Sequence, residues 1–438
     1  MSNRSLRGNR DFQLLWIGQT LSAFGSFASF VTLPLLVLAM TGSSTRAGLV
    51  GFAMSASAMV ASLPGGVLVD RCNRRAVMLV CNLVRGGAMA VLAVAVAADK
   101  APLPLVLIMA AVNGGMGSLF APAEVAALQR IVTAEQLPSA LAANQARAAA
   151  AALGGPSLGG FLFGLSRGLP FVLDALSYAA SFLCVLFIRT PLDVRRTGRE
   201  KVGWSDLVLG LKFLWGHPFL RSVMATDVVL NFAFSGILLA VIVAGVEQGS
   251  SGLSIGMVIG LAGAGTLIGA VLAPKVQTLV SPRQTILAIC WTTAALIPLM
   301  ALSLSLPMLG AILAACSVLA PIESVVVSGS RILLTPDDLQ GRAQSASGLA
   351  SMSATPLGPL VAGFLLDHVH APLTFLVFGG VLAALAILST TSRGLRQLPE
   401  TQAIPVPETS ATPAHRPLQP DASAALVAPE TKGGRRRR

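Results

Sequence analysis

The chain has 438 residues, of which 54% are hydrophobic and only 11% charged, and its formal net charge is +12. A soluble domain carries about 25% charged residues to keep its surface wet, so a soluble fold is excluded. The apolar residues come in blocks of about 20, enough to cross roughly 30 Å of hydrocarbon as helices. They are continuously apolar, not alternating in polarity, which excludes an outer-membrane barrel.

In chain order, residues 1–11 are a short basic N-terminus. Twelve spans are predicted at 12–40, 47–69, 76–98, 102–128, 140–165, 169–189, 222–246, 253–275, 284–305, 307–330, 343–366 and 372–392. The first follows the basic residues directly, with no small-residue cleavage site, and is predicted as a retained helix. Breakers punctuate the connections at Thr41-Gly42-Ser43-Ser44, Lys100-Ala101-Pro102, Gly249-Ser250-Ser251-Gly252 and Ser281-Pro282. Between 190 and 221 lies a polar, basic linker whose Trp204–Trp215 stretch has the apolar spacing of an amphipathic helix at the membrane surface. Residues 393–438 form a tail rich in Pro, Ala and Thr that ends Arg435–Arg438; it lacks the apolar residues to bury a core and is predicted disordered.

Basic residues set the orientation. All but five of the 31 Lys and Arg fall on the side that holds both termini; Arg46, Lys100 and Arg167 lie opposite, and Arg85 and Arg147 lie within spans. That asymmetry predicts cytoplasmic termini in a cell membrane. The charge is dispersed over loops, so no nucleic-acid partner is expected. The chain also repeats. Gly65-Gly66-Val67-Leu68 returns as Gly269-Ala270-Val271-Leu272, Thr133…Leu137 as Thr335…Leu339, and Pro156…Gly160-Phe161 as Pro359…Gly363-Phe364, each 202 to 204 residues on. Six spans per repeat give the halves the same topology about an axis along the membrane normal. The predicted fold is an all-α membrane protein of 12 transmembrane helices in two six-helix pseudo-repeats, 12–189 and 222–392.

Residues 65–75 read Gly65-Gly66-Val67-Leu68-Val69-Asp70-Arg71-Cys72-Asn73-Arg74-Arg75, an acid and three arginines between two apolar segments. Asn73 tolerates positive φ, so a tight turn is predicted there. This pattern resembles the loop between the second and third helices of the major facilitator superfamily of membrane transporters. Further segments fall in the order seen in its enterobactin-exporter and macrolide-efflux branch: Phe120-Ala121-Pro122-Ala123, Leu141…Asn144, Gly155-Pro156-Ser157-Leu158-Gly159-Gly160 and Phe171-Val172-Leu173-Asp174-Ala175-Leu176-Ser177-Tyr178. Arg10–Gly25 is similar to the branch's first helix. The resemblance implies two bundles around a central cavity and a proton-driven antiporter that exports bulky small molecules. It also implies a conformational latch at Gly66, Asp70, Arg71, Arg74 and Arg75, the acid resting against helix 11 in one of two rocking states. The antiporter-like segment Gly155, Pro156, Gly159 and Gly160 implies a bent, tightly packed fifth span that limits leakage; ordinary helix packing uses the same residues. Asn73 and Ala151 stand where the two motifs usually carry Gly, and two further departures bear on proton coupling. Ser26 stands where many relatives carry an acid, and Asn113-Gly114-Gly115 stands where many drug antiporters carry an arginine.

An ionisable group in the hydrocarbon costs about 2.5–3.5 kcal/mol on insertion and therefore faces a cavity or a partner. Glu323, the deepest acid, Asp227, Asp174 and Arg147 are the candidate proton or substrate charges. Asp174 could instead brace a helix junction, Asp227 could be interfacial, and Arg147 could snorkel. Arg85 is predicted to snorkel toward the cytoplasm. Phe24, Phe27, Asn113, Asn231 and Phe234 are candidates to line an amphipathic cavity, although Phe residues at these places also suit lipid or helix packing. Five scattered Cys and four His make no metal pattern and no Gly-Lys-Ser/Thr loop is present, so neither metal, cofactor nor ATP is expected. No nucleophile or paired catalytic group sits at one depth, which argues against a membrane enzyme, and no sizeable soluble domain is present for a receptor or scaffold. The expected partners are an amphipathic small molecule such as a drug, antibiotic or siderophore, protons and the lipid bilayer, acting on a monomer.

Overall fold

The structure, a computed structural model, describes residues 6–192, 204–302, 305–337 and 339–396, with the side chains of 7, 64, 66–71, 204, 205 and 396 excepted. The predicted disorder of the tail beyond 396, and residues 193–203 of the basic linker, lie outside the described residues. What is described is helical throughout. The first bundle comprises α1 (Arg10–Thr41), α2 (Ser44–Arg71), α3 (Arg74–Ala97), α4 (Leu103–Ile131), α5 (Leu137–Leu165) and α6 (Leu169–Leu186). Next come α7 (Trp204–Gly216), α8 (Pro218–Glu247), α9 (Gly252–Leu279), α10 (Pro282–Leu302), α11 (Leu306–Ser317), α12 (Leu319–Leu334), α13 (Gln340–Met352), α14 (Leu357–Thr391) and the short α15 (Arg393–Arg396).

Twelve spans result. Among the described residues, eleven stretches are long and apolar enough to cross a membrane, and one of them, Gln340–Thr391, has 52 residues. A helix of that length would reach about 78 Å at 1.5 Å per residue, far beyond one bilayer. It is two passes, separated where His370 adopts a left-handed φ of 62° just before Pro372. The eleventh span is α13 with the first part of α14, the twelfth is the rest of α14, and α11 with α12 makes the tenth.

The helix ends follow from the predicted breakers. Gly42 closes α1 in the left-handed conformation (φ 64°), which only Gly adopts without steric cost. Gly249 does the same after α8, and Ser251 caps α9 by accepting from the Ser254 backbone N–H at 3.2 Å. At the other end of α1, Asn9 accepts from Phe12 N–H at 3.1 Å and donates to the Ile131 carbonyl at 2.8 Å, tying the start of α1 to the end of α4. Asp11 accepts from Thr190 Oγ1 at 2.6 Å and from the Thr190 amide at 2.8 Å, which joins α1 to the end of α6. Burial raises the Asp11 carboxyl, but these bonds and the Arg10 charge outweigh it and hold it below the usual carboxylate range.

Two expectations about the second connection change. The Gly65–Arg75 stretch is mostly helix, because α2 runs on to Arg71 and leaves only Cys72 and Asn73 between helices. Asn73 has φ −59°, so no left-handed turn forms; its side chain instead caps α3 by accepting from Ala76 N–H at 3.0 Å. An Asn beside an Arg-led helix satisfies an orphan N–H more cheaply as a cap than as a strained turn.

Within the first bundle α1 packs on α5 and α6, α2 and α3 on α4, and α3 on α6; within the second α14 packs on α8 and α10, and α9 on α11 and α12. The bundles meet chiefly through two helix pairs, α5 with α9 and α2 with α14. These are spans 5 with 8 and 2 with 11, the same pairing seen from each repeat.

Candidate functional site

The seam between bundles is built from glycine. A Cβ on Gly160 would collide with the Gly252 carbonyl, and one on Gly256 with the carbonyl of Pro156. The second pair mirrors this: a Cβ on Gly48 would strike the Pro359 carbonyl, and one on Gly363 the carbonyl of Ser44. Gly256 lies 208 residues after Gly48, whereas the sequence repeat along these two spans is 204 residues, so the copies engage with a slip of one helical turn. All these contacts lie in the halves of the spans away from the chain termini, here termed the far half. Gly155 and Gly159 of the same segment face α1, where a Cβ would sit 2.6 Å from Phe27 Cβ and 2.7 Å from the Ala28 backbone. The Gly155–Gly160 segment thus packs on two helices at once, one in each bundle. On the terminal-side half of α5, Leu141, Ala142, Gln145 and Ala146 are exposed.

One acid finishes the far seam. Asp367, at the far end of the eleventh span, accepts from Ser43 Oγ at 2.8 Å, Ser44 N–H at 2.6 Å and Thr45 N–H at 3.0 Å. A carboxylate from the second bundle therefore caps the N-terminus of α2 in the first. Burial raises this carboxyl, but the bonds from Thr45, Ser43 and Ser44 prevail and hold it at about 2.

Between the bundles lies a cavity of about 250 Å³ lined by Ser26, Phe30, Met54, Arg85, Asn113 and Thr355 among others. Arg85 does not snorkel. Its Nε donates to Asn113 Oδ1 at 2.9 Å and its Nη2 to Ser26 Oγ at 3.3 Å, and its guanidinium carbon lies 4.3 Å over the Tyr178 ring. Tyr178 Oη donates to Asn113 Oδ1 at 3.2 Å and shares a hydrogen bond with Ser26 Oγ at 2.9 Å. These polar neighbours at mid-span are a cheaper solution than a long reach to the interface. Both departures that bear on proton coupling meet here: Ser26 and Asn113 are the two groups that hold Arg85. Asp174 is fully buried behind them, with Oδ2 unpartnered among the described residues, and a Cβ on Gly25 would come within 2.6 Å of its other oxygen.

The second bundle holds the other acids. Asp227 accepts from Asn231 Nδ2 at 2.9 Å and from the Ser351 hydroxyl. It lies within electrostatic reach of Glu323 and of buried Arg331, and Glu323 Oε1 is buried with no hydrogen-bond partner among the described residues. Asp227 does not line the cavity, but it bonds to Ser351, the neighbour in sequence of the lining residue Met352. Arg147 pairs with Glu124 at 2.8 Å inside the first bundle, both side chains largely buried. Of the predicted lining residues, Asn113 faces the cavity. Phe24 and Phe27 pack on Gly154 and Gly155 of α5, Phe234 packs into the core of the second bundle, and Asn231 turns to Asp227. Gly66, Asp70 and Arg71 belong to the stretch without described side chains. Arg74 donates to the Ala126 carbonyl at 3.3 Å and Arg75 to that of Leu186, which fixes the end of this connection to α4 and α6.

Three participants had weaker sequence signals. Tyr178 is the chain's single tyrosine and closes the Phe171–Tyr178 motif, which marks it. Glu124 sits directly after Phe120-Ala121-Pro122-Ala123, where an acid inside a span demands a partner. Asp367 shows no signal until the helix it caps is placed.

Two bundles of six spans, joined by symmetry-related pairs around a mid-membrane cavity, describe a fold that sequence comparison also finds. The chain matches the Major Facilitator Superfamily over residues 15–328 and 228–429. It belongs to that superfamily. Among curated relatives of this major facilitator protein is the multidrug efflux pump Tap of Mycolicibacterium fortuitum, 26% identical over 401 residues that cover 85% of this chain and 93% of Tap. Tap of Mycobacterium tuberculosis is 24% identical over 88% of this chain and 94% of its own. Solved structures of similar fold include the nucleoside transporter NupG, at a TM-score of 0.69 and 12% identity, covering 89% of this chain and all of NupG. Another is a bacterial homologue of the iron transporter ferroportin in an inward-facing state, at 0.62 and 17%, covering 87% of this chain and all of that one. The chain is a multi-span membrane transporter of small molecules.

Proposed function

We propose that this transporter is a secondary active exporter of amphipathic small molecules, driven by protons and working by alternating access. The observation that carries the reading is the cavity at mid-membrane depth between two bundles whose glycine contacts lie in one half of the membrane. Such a seam opens and closes as a unit, exposing the cavity to one side at a time. Export, not import, is favoured because relatives aligned over most of this chain are named efflux pumps. The termini are assigned to the cytoplasm, so the state described here closes the outside face. Asp70 is proposed as the opposing latch on the cytoplasmic face, and the protein as a monomer.

Glu323 and Asp227 are the proposed proton site. Two acids near each other, one with an oxygen unpartnered and buried, are costly to ionise together. Taking up and releasing a proton there changes the charge inside the second bundle and so biases the two states. The test is accumulation of dyes, antibiotics and siderophores in an efflux-deficient host. Expression is expected to lower accumulation of at least one amphipathic compound, and a protonophore to abolish the effect. Faster uptake of a nutrient, with no compound expelled, would overturn export and leave the fold intact. In everted vesicles Glu323→Gln is expected to weaken proton dependence more than Asp227→Asn; equal collapse of both with a protonophore would clear the pair of that role.

A further inference from the structure

Arg85 is the one charged residue among those lining the cavity. The groups that touch and orient the guanidinium are neutral, namely an amide oxygen, a hydroxyl and an aromatic face, and the buried acid Asp174 behind them acts on it only through space. No carboxylate lies within ion-pair distance of it among the described residues, and Nη1 makes no hydrogen bond there. Gly117 faces the guanidinium without a side chain of its own; an added Cβ there would touch it, 3.6 Å from the guanidinium carbon. A structural arginine at this depth would be expected to close on an acid, as Arg147 closes on Glu124. Arg85 instead presents a fixed cationic edge to an otherwise neutral, mostly apolar space.

We infer that Arg85 is a substrate-recognition residue and that the cavity selects amphipathic molecules bearing an anionic oxygen group, such as a carboxylate, over otherwise identical molecules lacking it. The inference rests on the transporter reading above and names its substrate class. The apolar body lies against Phe30, Met54 and Met352, and the anionic group accepts from the free edge of Arg85 while Ser26 and Asn113 keep the guanidinium plane in place. A charge-assisted hydrogen bond of this kind corresponds to about a tenfold preference.

The test uses purified full-length protein in proteoliposomes with an imposed proton gradient, and the matched dyes rhodamine B, a free carboxylate, and rhodamine B ethyl ester. The wild type is expected to move the acid about tenfold faster than the ester at subsaturating dye. Arg85→Gln is expected to bring the ratio close to one, and Arg85→Lys to restore part of it. A wild type that moves both dyes at one rate would overturn the inference and leave export standing. So would an Arg85→Gln protein that keeps the ratio, or one that loses both dyes in equal proportion. A wild type that moves neither dye nor any other compound would overturn the export reading itself.

Discussion

Asp367 shows how far a single side chain reaches in this fold. It is exposed, yet it accepts three hydrogen bonds from the start of a helix in the opposite bundle. Loss of such a cap costs about 0.5–2 kcal/mol. Asp367→Ala is therefore expected to shift the two states about two- to thirtyfold away from far-face closure, measured as faster labelling of a cysteine placed at Thr45. Because its carboxyl is held down at about 2, below its unfolded value, this contribution is fully present above ordinary carboxylate pH and is lost only as pH falls through about 2. Labelling between pH 5 and 8 should show no step from this residue. Arg147 and Glu124 carry the opposite risk. Removing either partner leaves a buried charge, so Glu124→Ala is expected to destabilise by about 3–5 kcal/mol. The double variant Arg147→Met, Glu124→Leu is expected to lose much less, as thermal unfolding in detergent would report.

Among the elements, α5 and α9 decide whether the far half can shut. Gly160 and Gly256 admit no side chain without moving a backbone carbonyl, so Gly160→Ala and Gly256→Ala are each expected to hold the far face open and lower transport several-fold, with insertion unchanged. Normal transport by either variant would remove the seam from the account. This part of the fold was legible because Gly, Pro and Gly recur at matched spacing in both repeats, and because blocks of twenty apolar residues have one physical outcome in a bilayer. Helix ends were legible wherever a left-handed Gly or a capping Ser marked them. The Gly65–Arg75 stretch was less so, since polar residues at a membrane surface fit a loop or a helix end equally well. Arg85 was misjudged for a related reason. Its distance along α3 permits either a reach to the surface or an inward turn, and only the positions of Ser26, Asn113 and Tyr178, from three other helices, decide between them.

At the scale of the molecule, the bundles form a nearly two-fold pair in which the chemistry is divided. The first presents a cation to the cavity, and the second keeps two acids off its lining. Substrate and proton would then act on opposite halves, and rocking would join their effects. Spin labels measure this directly, with Cys72 replaced. One pair, Arg46→Cys with His368→Cys, spans the far face. The other, Arg130→Cys with Lys275→Cys, spans the terminal face. Raising pH from acidic to neutral is expected to redistribute both distances between two populations in opposite senses, one pair lengthening as the other shortens, and Glu323→Gln, which mimics the protonated acid, is expected to hold the acidic distribution and blunt the pH response. Distances that stay fixed in a protein that still transports, or that change together in the same sense, would contradict alternating access through this seam.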